Sequence, residues 1–428
     1  MTSISNASAQ EKKNTTGSKA TIAIVLVTSL FFIWGLTMNL VNALNSPFGN
    51  YMELSSTEAA LLQVAYYGAY FVMAIPAGAI AKRFGYKGGV ISGLFLFAVG
   101  SFIVIPATNA ASYGLFLFAM FVIALGAASL ETNCNPYITK LGDEKGESFR
   151  LNMAQSFNGV GNIVGPLILA QILSQTIAPG QAGFDEAKTK FLGDTQHIYI
   201  VIGIVLVVVL LVFAFFKLPT PPGDEEEAES GSAGDASFFG LLKRPYFALG
   251  VLAEFIFIGL QVAGMAMFSA YALAHWGPGV TAGLAATMLS ILSLLFTIGR
   301  FVTTPLMAKF DPAKILGVYM TITAVLMVVV FLGLGKISVI AFLVAYLFIS
   351  IGYPTIFSLT LKGIKGSAAK TGSSALVMSI VGAALIPLLL GAIQDAAGIE
   401  IAMLVTVPGF LYLAWYAFWG SKIGLKES

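Results

Sequence analysis

Twelve apolar segments, each close to the length of a membrane-spanning helix, constrain the fold of this chain most. A bilayer core about 30 Å thick needs roughly 20 apolar residues per helix, and each segment meets or nearly meets that length. The segments cover approximately residues 20–48, 57–82, 88–107, 112–141, 148–174, 198–216, 245–274, 281–308, 313–334, 339–361, 371–394 and 401–419. We therefore predict an all-α membrane protein with twelve transmembrane helices.

The composition excludes several other classes of protein. The 428 residues are 57% hydrophobic and 10% charged, which no soluble domain matches, and a net charge of +2 gives no reason to expect a nucleic acid partner. The single cysteine, Cys134, excludes an internal disulfide and a thiolate metal cluster, and we expect neither a metal nor a cofactor. The polar first 18 residues lack the features of a signal peptide, so we expect the first apolar segment to remain as a membrane anchor.

The basic residues predict the orientation of the chain. If the N-terminus is cytoplasmic, 19 of the 23 Lys and Arg residues fall on the cytoplasmic side, all but Lys188, Lys190, Arg300 and Lys336. Such a bias follows the positive-inside rule. We expect both termini in the cytoplasm, in a multi-pass protein of the bacterial cytoplasmic membrane that acts as a monomer.

A polar, acidic segment rich in Pro and Gly, residues 218–237, separates two groups of six helices. Several motifs of the first group recur roughly 220 residues later, for example Gly161-Asn-Ile-Val-Gly-Pro as Gly382-Ala-Ala-Leu-Ile-Pro. A duplication in the same topology is typical of the major facilitator architecture, with the substrate between the halves. The predicted domains are a tail (1–19), a first bundle (20–217), a linker (218–240), a second bundle (241–422) and a second tail (423–428).

Polar residues within the apolar helices predict a cavity. A carboxylate such as Glu131 costs roughly 2.5–3.5 kcal/mol or more at the centre of a bilayer helix, and by default it marks a pathway. Amides at helical spacing share one face of their helix. They could simply join helices, but several stripes in neighbouring helices favour a polar cavity. The residues concerned are Asn39 and Asn42, Gln63, Glu131 and Asn135, Asn152, Gln155, Asn158 and Asn162, and Glu254 and Gln261.

Such groups suit a neutral, polyhydroxylated solute, because amides and carboxylates form hydrogen bonds with hydroxyls in pairs. Aromatic rings would cover the C–H face of a sugar, and the candidates are Tyr66, Tyr67, Phe157, Tyr271 and Tyr353. An anionic substrate would require a buried cation. Only Arg300 lies within a helix, and its position favours snorkelling to the interface or pairing at a gate over contact with substrate.

Several of these motifs resemble the fucose–proton symporter family, a bacterial sugar branch of the major facilitator superfamily. The similar motifs are Phe31-Phe-Ile-Trp-Gly, Leu130-Glu-Thr-Asn-Cys-Asn-Pro, Phe149-Arg-Leu-Asn-Met-Ala-Gln-Ser-Phe-Asn and Gly352-Tyr-Pro-Thr-Ile-Phe-Ser. The resemblance implies that Glu131 takes part in substrate binding and proton coupling. It also implies that Gln155, Asn158 and Gln261 line the cavity. Members of the family commonly carry a second acid in helix one, where this chain has Asn42, which cannot titrate.

The sequence thus predicts a transporter that imports a neutral monosaccharide, L-fucose or another hexose, by alternating access. We expect protons to be coupled through Glu131, with Glu254 standing in for the missing acid. The predicted substrate-binding residues are Asn42, Gln63, Glu131, Asn135, Gln155, Asn158, Asn162 and Gln261. Coupling to sodium, uncoupled transport, export of another small solute and a sensor that binds without flux remain alternatives. We expect no enzymatic activity, because no nucleophile or metal motif is present.

Overall fold

The computed structural model describes residues 20–37, 39, 48, 50–54, 56–172, 179–221, 224 and 237–425, and all regular structure in these residues is helical. Twelve long helices occur in this part of the chain. They are α1 (Ala20–Thr37), α2 (56–84), α3 (86–109), α4 (Tyr113–Lys140), α5 (Glu147–Ile172), α6 (Phe184–Phe215), α7 (Pro245–His275), α8 (Ala282–Thr303), α9 (Pro312–Phe331), α10 (Lys336–Thr360), α11 (Gly366–Ala397) and α12 (Ile399–Phe418). The predicted all-α fold is confirmed.

Two features of the first six helices have simple physical causes. Helices α2 and α3 form one run, Ser56–Asn109, that bends at Gly85, whose φ of 69° lies in the left-handed region that glycine tolerates. Helix α5 is less apolar than the other spans, so length and hydropathy mark the others as membrane-spanning but not α5. The reason is the row of amides at Asn152, Gln155, Asn158 and Asn162.

Two helices of the second half are interrupted near their middle. Helix α10 consists of Lys336–Ile349 and Gly352–Thr360, and α11 consists of Gly366–Met378 and Gly382–Ala397 with a 3-10 turn between them. In α10 the break precedes Pro354, which has no N–H to donate to the carbonyl of Ser350 one turn earlier. Such a gap is tolerated in a membrane only where another group satisfies the carbonyl.

Helices α3 and α4 cross at a pair of glycines, Gly93 and Gly126. A Cβ atom at Gly126 would lie 2.5 Å from the backbone nitrogen of Phe97 and 2.7 Å from the carbonyl oxygen of Gly93. Because the obstacle is backbone, no side-chain rotation can relieve it. Small residues of this kind let membrane helices approach closely.

Replacing Gly126 with alanine is therefore expected to destabilise the protein by about 1–3 kcal/mol, the usual effect of overpacking. Thermal unfolding in detergent, followed by size-exclusion chromatography, would show a lower midpoint. The matched control is Gly193→Ala in α6, where a Cβ would meet nothing within 4 Å. Alanine should be neutral there or stabilise the helix by up to about 1 kcal/mol. Equal midpoints for the two variants would contradict this account of the crossing.

The two halves of the bundle are joined at the basic side, the end that holds Lys140, Lys145 and Arg150. Hydrogen bonds and one ion pair connect first-half residues to second-half residues here. They are Ser148 to Ser358 (2.6 Å), Asn152 to Thr355 (3.2 Å), Ser373 to the Thr132 carbonyl (2.6 Å), Lys140 to the Leu361 carbonyl (3.2 Å) and Lys365 to Glu144 (3.1 Å). We call this set of contacts the seam.

Candidate substrate cavity

A cavity of about 230 Å³ lies between the two halves. Its wall is built by α1, α2, α4 and α5 of the first half and by α7, α8, α10 and α11 of the second. The volume is below the roughly 300–1,000 Å³ of pockets for drug-sized ligands, so it suits a small solute. The lining residues are Trp34, Gly35, Asn39, Tyr66, Tyr67, Tyr70, Glu131, Gln155, Asn158, Asn162, Ile258, Gln261, Val262, Phe296, Arg300, Tyr353, Ile380 and Ala383.

Glu131 lines this cavity and is 6% exposed. Its carboxyl group is within hydrogen-bonding reach of Tyr70 on α2, Asn135 on its own helix and Tyr353 on α10. Asn135 also donates to the Tyr353 hydroxyl (3.0 Å) and accepts from the side chain of Gln155 (3.5 Å). The carboxyl group therefore belongs to a polar network that includes both halves, and Asn135 lies behind the wall rather than on it.

The amides of α5 face α1 as well as the cavity. The side-chain amides of Asn162 and Asn39 are 2.6 Å apart, and Asn158 donates to the Phe31 carbonyl (3.1 Å). A Cβ at Gly35 would lie 2.3 Å from the carbonyl oxygen of Asn158, so only glycine allows α1 and α5 to come this close. The two interpretations of the amide stripe are thus compatible, because Asn158 and Asn162 both join helices and line the cavity.

Gln261 presents a polar group from the opposite wall. Its backbone carbonyl accepts a hydrogen bond from Tyr346 (2.6 Å). Its side-chain oxygen is buried and has no hydrogen-bond partner among the described residues. An unpaired buried acceptor is unfavourable, and a ligand hydroxyl is the kind of donor that would satisfy it.

Arg300 corrects one expectation from the sequence. It does not snorkel to the interface, since it is 6% exposed and lines the cavity. Its Nε donates to the Ser350 carbonyl (2.8 Å), and a terminal nitrogen donates to the Gln155 carbonyl (2.9 Å). The carbonyl of Ser350 is the one that Pro354 leaves without its helical donor. Arg300 thus repairs the break in α10 and joins that helix to α5 of the other half.

The aromatic residues divide into two groups. Tyr66, Tyr67 and Tyr353 line the cavity, as expected. Phe157 does not, because it is 42% exposed and contacts Phe301, and Tyr271 donates to the Val330 carbonyl away from the cavity. Four aromatic or charged residues of the wall were not predicted to contact substrate, namely Trp34, Tyr70, Phe296 and Arg300. Trp34 lies in a motif that carried the family resemblance, which could have drawn attention to it.

Two predicted site residues have no described side chain, and a third lies away from the cavity wall. Asn42 lies outside the described residues. Gln63 lies in α2, but its side chain is outside the described part of the structure. Glu254 is fully buried in α7, away from the cavity wall. Among the described residues, neither of its carboxyl oxygens has a hydrogen-bond partner.

Comparisons with known proteins give matches over most of the chain. Residues 22–376 match the model of the Major Facilitator Superfamily. The chain is 36% identical over 408 residues to the L-fucose-proton symporter of Escherichia coli (strain K12), and this match covers 93% of this chain and 92% of that protein. It is 31% identical over 404 residues to the glucose/galactose transporter of Brucella abortus (strain 2308), which covers 94% of each.

Solved structures agree with these matches. A crystal structure of the Major Facilitator Superfamily transporter FucP in the outward conformation has a TM-score of 0.85 and 34% identity, and it covers 94% of this chain and 99% of that chain. A proton:xylose symporter with 14% identity and a TM-score of 0.67 shares the fold alone. The predicted fold is confirmed, and so is the prediction that the chain is a transporter rather than an enzyme.

Proposed function

Because this chain belongs to the fucose–proton symporter family of the Major Facilitator Superfamily, we propose that it imports a neutral monosaccharide, L-fucose or another hexose, across the bacterial cytoplasmic membrane. The polar cavity between the halves is the observation that carries the proposal. Relatives are named as transporters of L-fucose and of glucose and galactose, which are small polyhydroxylated solutes.

The chemistry of the wall matches such a solute. Gln155, Asn158 and Gln261 can each donate to one hydroxyl and accept from another. Trp34 and Tyr67 supply flat faces for the C–H surface of a pyranose ring. Glu131 lies among these groups. In its charged form, its carboxylate can accept a hydrogen bond from a sugar hydroxyl.

Alternating access would require the seam to open. If the basic side is cytoplasmic, as the positive-inside rule favours, the hydrogen bonds from Ser148, Asn152 and Ser373 close the cavity from the cytoplasm in this conformation. Rocking of one half against the other would break these contacts and expose the cavity to the cytoplasm.

Proton coupling through Glu131 follows from the same geometry. Two groups within reach of its carboxyl group, Tyr70 and Asn135, lie in its own half, but Tyr353 lies in the other. Rocking would change the contact with Tyr353 and the access of water to the site. Hydration and hydrogen bonds set the proton affinity of a carboxyl group, so the affinity of Glu131 would differ between the two states.

The test is counterflow and uptake in proteoliposomes. Purified protein should exchange labelled L-fucose or another hexose, and an inward proton gradient should drive its accumulation. Liposomes without protein control for leakage, and uptake in a sodium gradient at constant pH tests the alternative ion. If no hexose or deoxyhexose in a broad panel is exchanged, the proposed substrate class is wrong.

Arg300 supports a second candidate, the anionic sugar acids. A buried guanidinium group in the cavity could pair with a carboxylate. Two of its donor groups, however, are already bonded to the carbonyls of Ser350 and Gln155, and this favours the neutral substrate. Glucuronate and galacturonate belong in the transport panel, where faster exchange of either than of any neutral hexose would support the second candidate.

A further inference from the structure

Among the described residues of the membrane helices, Glu254 is an acid whose position the binding of a sugar does not explain. It lies on α7, fully buried and behind the cavity wall. Among the described residues it takes part in no salt bridge, and neither carboxyl oxygen has a hydrogen-bond partner. A carboxylate ion without a donor in an apolar bundle is strongly unfavourable. A proton on the carboxyl group would remove that cost.

The packing of α7 places Glu254 against the second segment of α10, Gly352–Thr360. A Cβ at Gly250 would lie 2.1 Å from the Thr360 hydroxyl, and a Cβ at Gly352 would lie 1.9 Å from the Phe257 ring. These contacts lie on either side of Glu254 along α7. Tyr353 and Thr360 are seven residues apart and share a face of α10, so Glu254 lies beside the stretch between them.

Three titratable side chains of the described residues lie close enough to Glu254 for an electrostatic interaction. They are Glu131 on α4, Tyr353 on α10 and Tyr416 on α12. Tyr353 interacts with both acids and is within hydrogen-bonding reach of Glu131. Towards the basic side from Glu254, the hydroxyls of Tyr416 and Thr360 are 2.8 Å apart. The carbonyl of Leu361, the residue that follows α10, accepts from Lys140 of the seam.

We propose that Glu254 is a proton relay between the cavity and the basic side, connected to Glu131 through the hydroxyl of Tyr353. This proposal rests on the proposed proton-coupled transport. When the seam opens, Glu254 releases its proton to water on the basic side. In the opened state the Tyr353 hydroxyl comes within hydrogen-bonding distance of the Glu254 carboxylate, a contact that is absent in the present conformation. The carboxylate accepts the Tyr353 hydroxyl proton, while Tyr353 accepts the proton of Glu131. One proton leaves the protein per cycle, Glu254 is neutral again, and Glu131 is left charged.

A proton relay affects net proton movement but not sugar counterflow, whereas a structural role would affect both together. Counterflow exchanges sugar without net proton release, so Glu254→Gln should keep a counterflow rate within about twofold of the original protein. Net sugar-driven proton movement, measured with a pH-sensitive dye inside proteoliposomes, should fall roughly tenfold or more, since a group that transfers protons is typically worth at least that much. Unchanged proton movement in Glu254→Gln would overturn the relay.

A second variant keeps the proposal testable if Glu254→Gln folds poorly. Glu254→Asp remains titratable but has a shorter side chain, whereas glutamine preserves the size and neutrality of the protonated acid. With proton movement normalised to counterflow, the relay predicts that Asp exceeds Gln. A packing role predicts equal ratios for the two variants, and a ratio for Asp no higher than that for Gln would overturn the proposal. Absence of proton movement in the unmodified protein would instead refute proton coupling itself, so the two failures are distinguishable.

Discussion

Replacement of Glu131 by glutamine is expected to abolish proton-driven sugar accumulation while sugar exchange continues. Glutamine has nearly the shape of a protonated glutamate, so the shape of the cavity and the proximity of residue 131 to Tyr70 and Tyr353 should persist. It cannot release or bind a proton, and a conformational cycle without that step cannot use the proton gradient. With one proton per sugar and an imposed gradient of about two pH units, the original protein would support about 100-fold accumulation, because each pH unit is worth about 1.4 kcal/mol.

The variant should hold the accumulation ratio near unity in the same vesicles, with counterflow still present. The matched control is Glu400→Gln, the same chemical change at a 41% exposed side chain that pairs with His275 (3.0 Å) outside the cavity. That variant should accumulate sugar normally. Full accumulation by Glu131→Gln would show that another group carries the proton.

Replacement of Gln155 by alanine is expected to weaken substrate binding strongly without affecting coupling. Gln155 lines the cavity and is 5% exposed. Loss of its amide would leave sugar hydroxyls without a partner at a buried position, at a cost of about 1–3 kcal/mol. This corresponds to a rise of roughly 5–150-fold in the half-saturation concentration. The backbone carbonyl that accepts from Arg300 is retained in alanine.

Initial uptake rates over a range of sugar concentrations measure this effect. Gln196→Ala is the matched control, because it removes the same group from a hydrogen bond with Asn109 (3.0 Å) far from the cavity. Its half-saturation concentration should equal that of the original protein. If Gln155→Ala and Gln196→Ala behaved alike, Gln155 would not contact substrate.

Much of the architecture was predictable because the bilayer imposes a simple rule on sequence. Every spanning segment needs an apolar run of sufficient length and satisfies its own backbone hydrogen bonds. The periodicity of the helix then identified the shared face of Gln155, Asn158 and Asn162, which the structure places on or beside the cavity. Glu131 was recognisable because a charge among apolar residues is rare.

The roles of Arg300 and Tyr70 could not be predicted from local sequence patterns. Position along α8 indicated an arginine near the interface, and only the break in α10 at Pro354 explains why its guanidinium group points inward to the Ser350 carbonyl. Tyr70 is an ordinary aromatic residue in a membrane helix until α4 places Glu131 within its reach. Both depend on contacts between residues distant in sequence.

The sequence by itself determined the number of helices, the pairing of two six-helix halves and the presence of buried polar groups. These properties depend on local hydrophobicity and on the helical repeat, which each segment carries on its own. Only the tertiary structure decided which polar groups meet in one cavity and which of them form the seam. It also decided that Glu254 lies buried beside α10, with no hydrogen-bond partner among the described residues. Those properties depend on the rotation and crossing of packed helices, which side chains from distant segments set together.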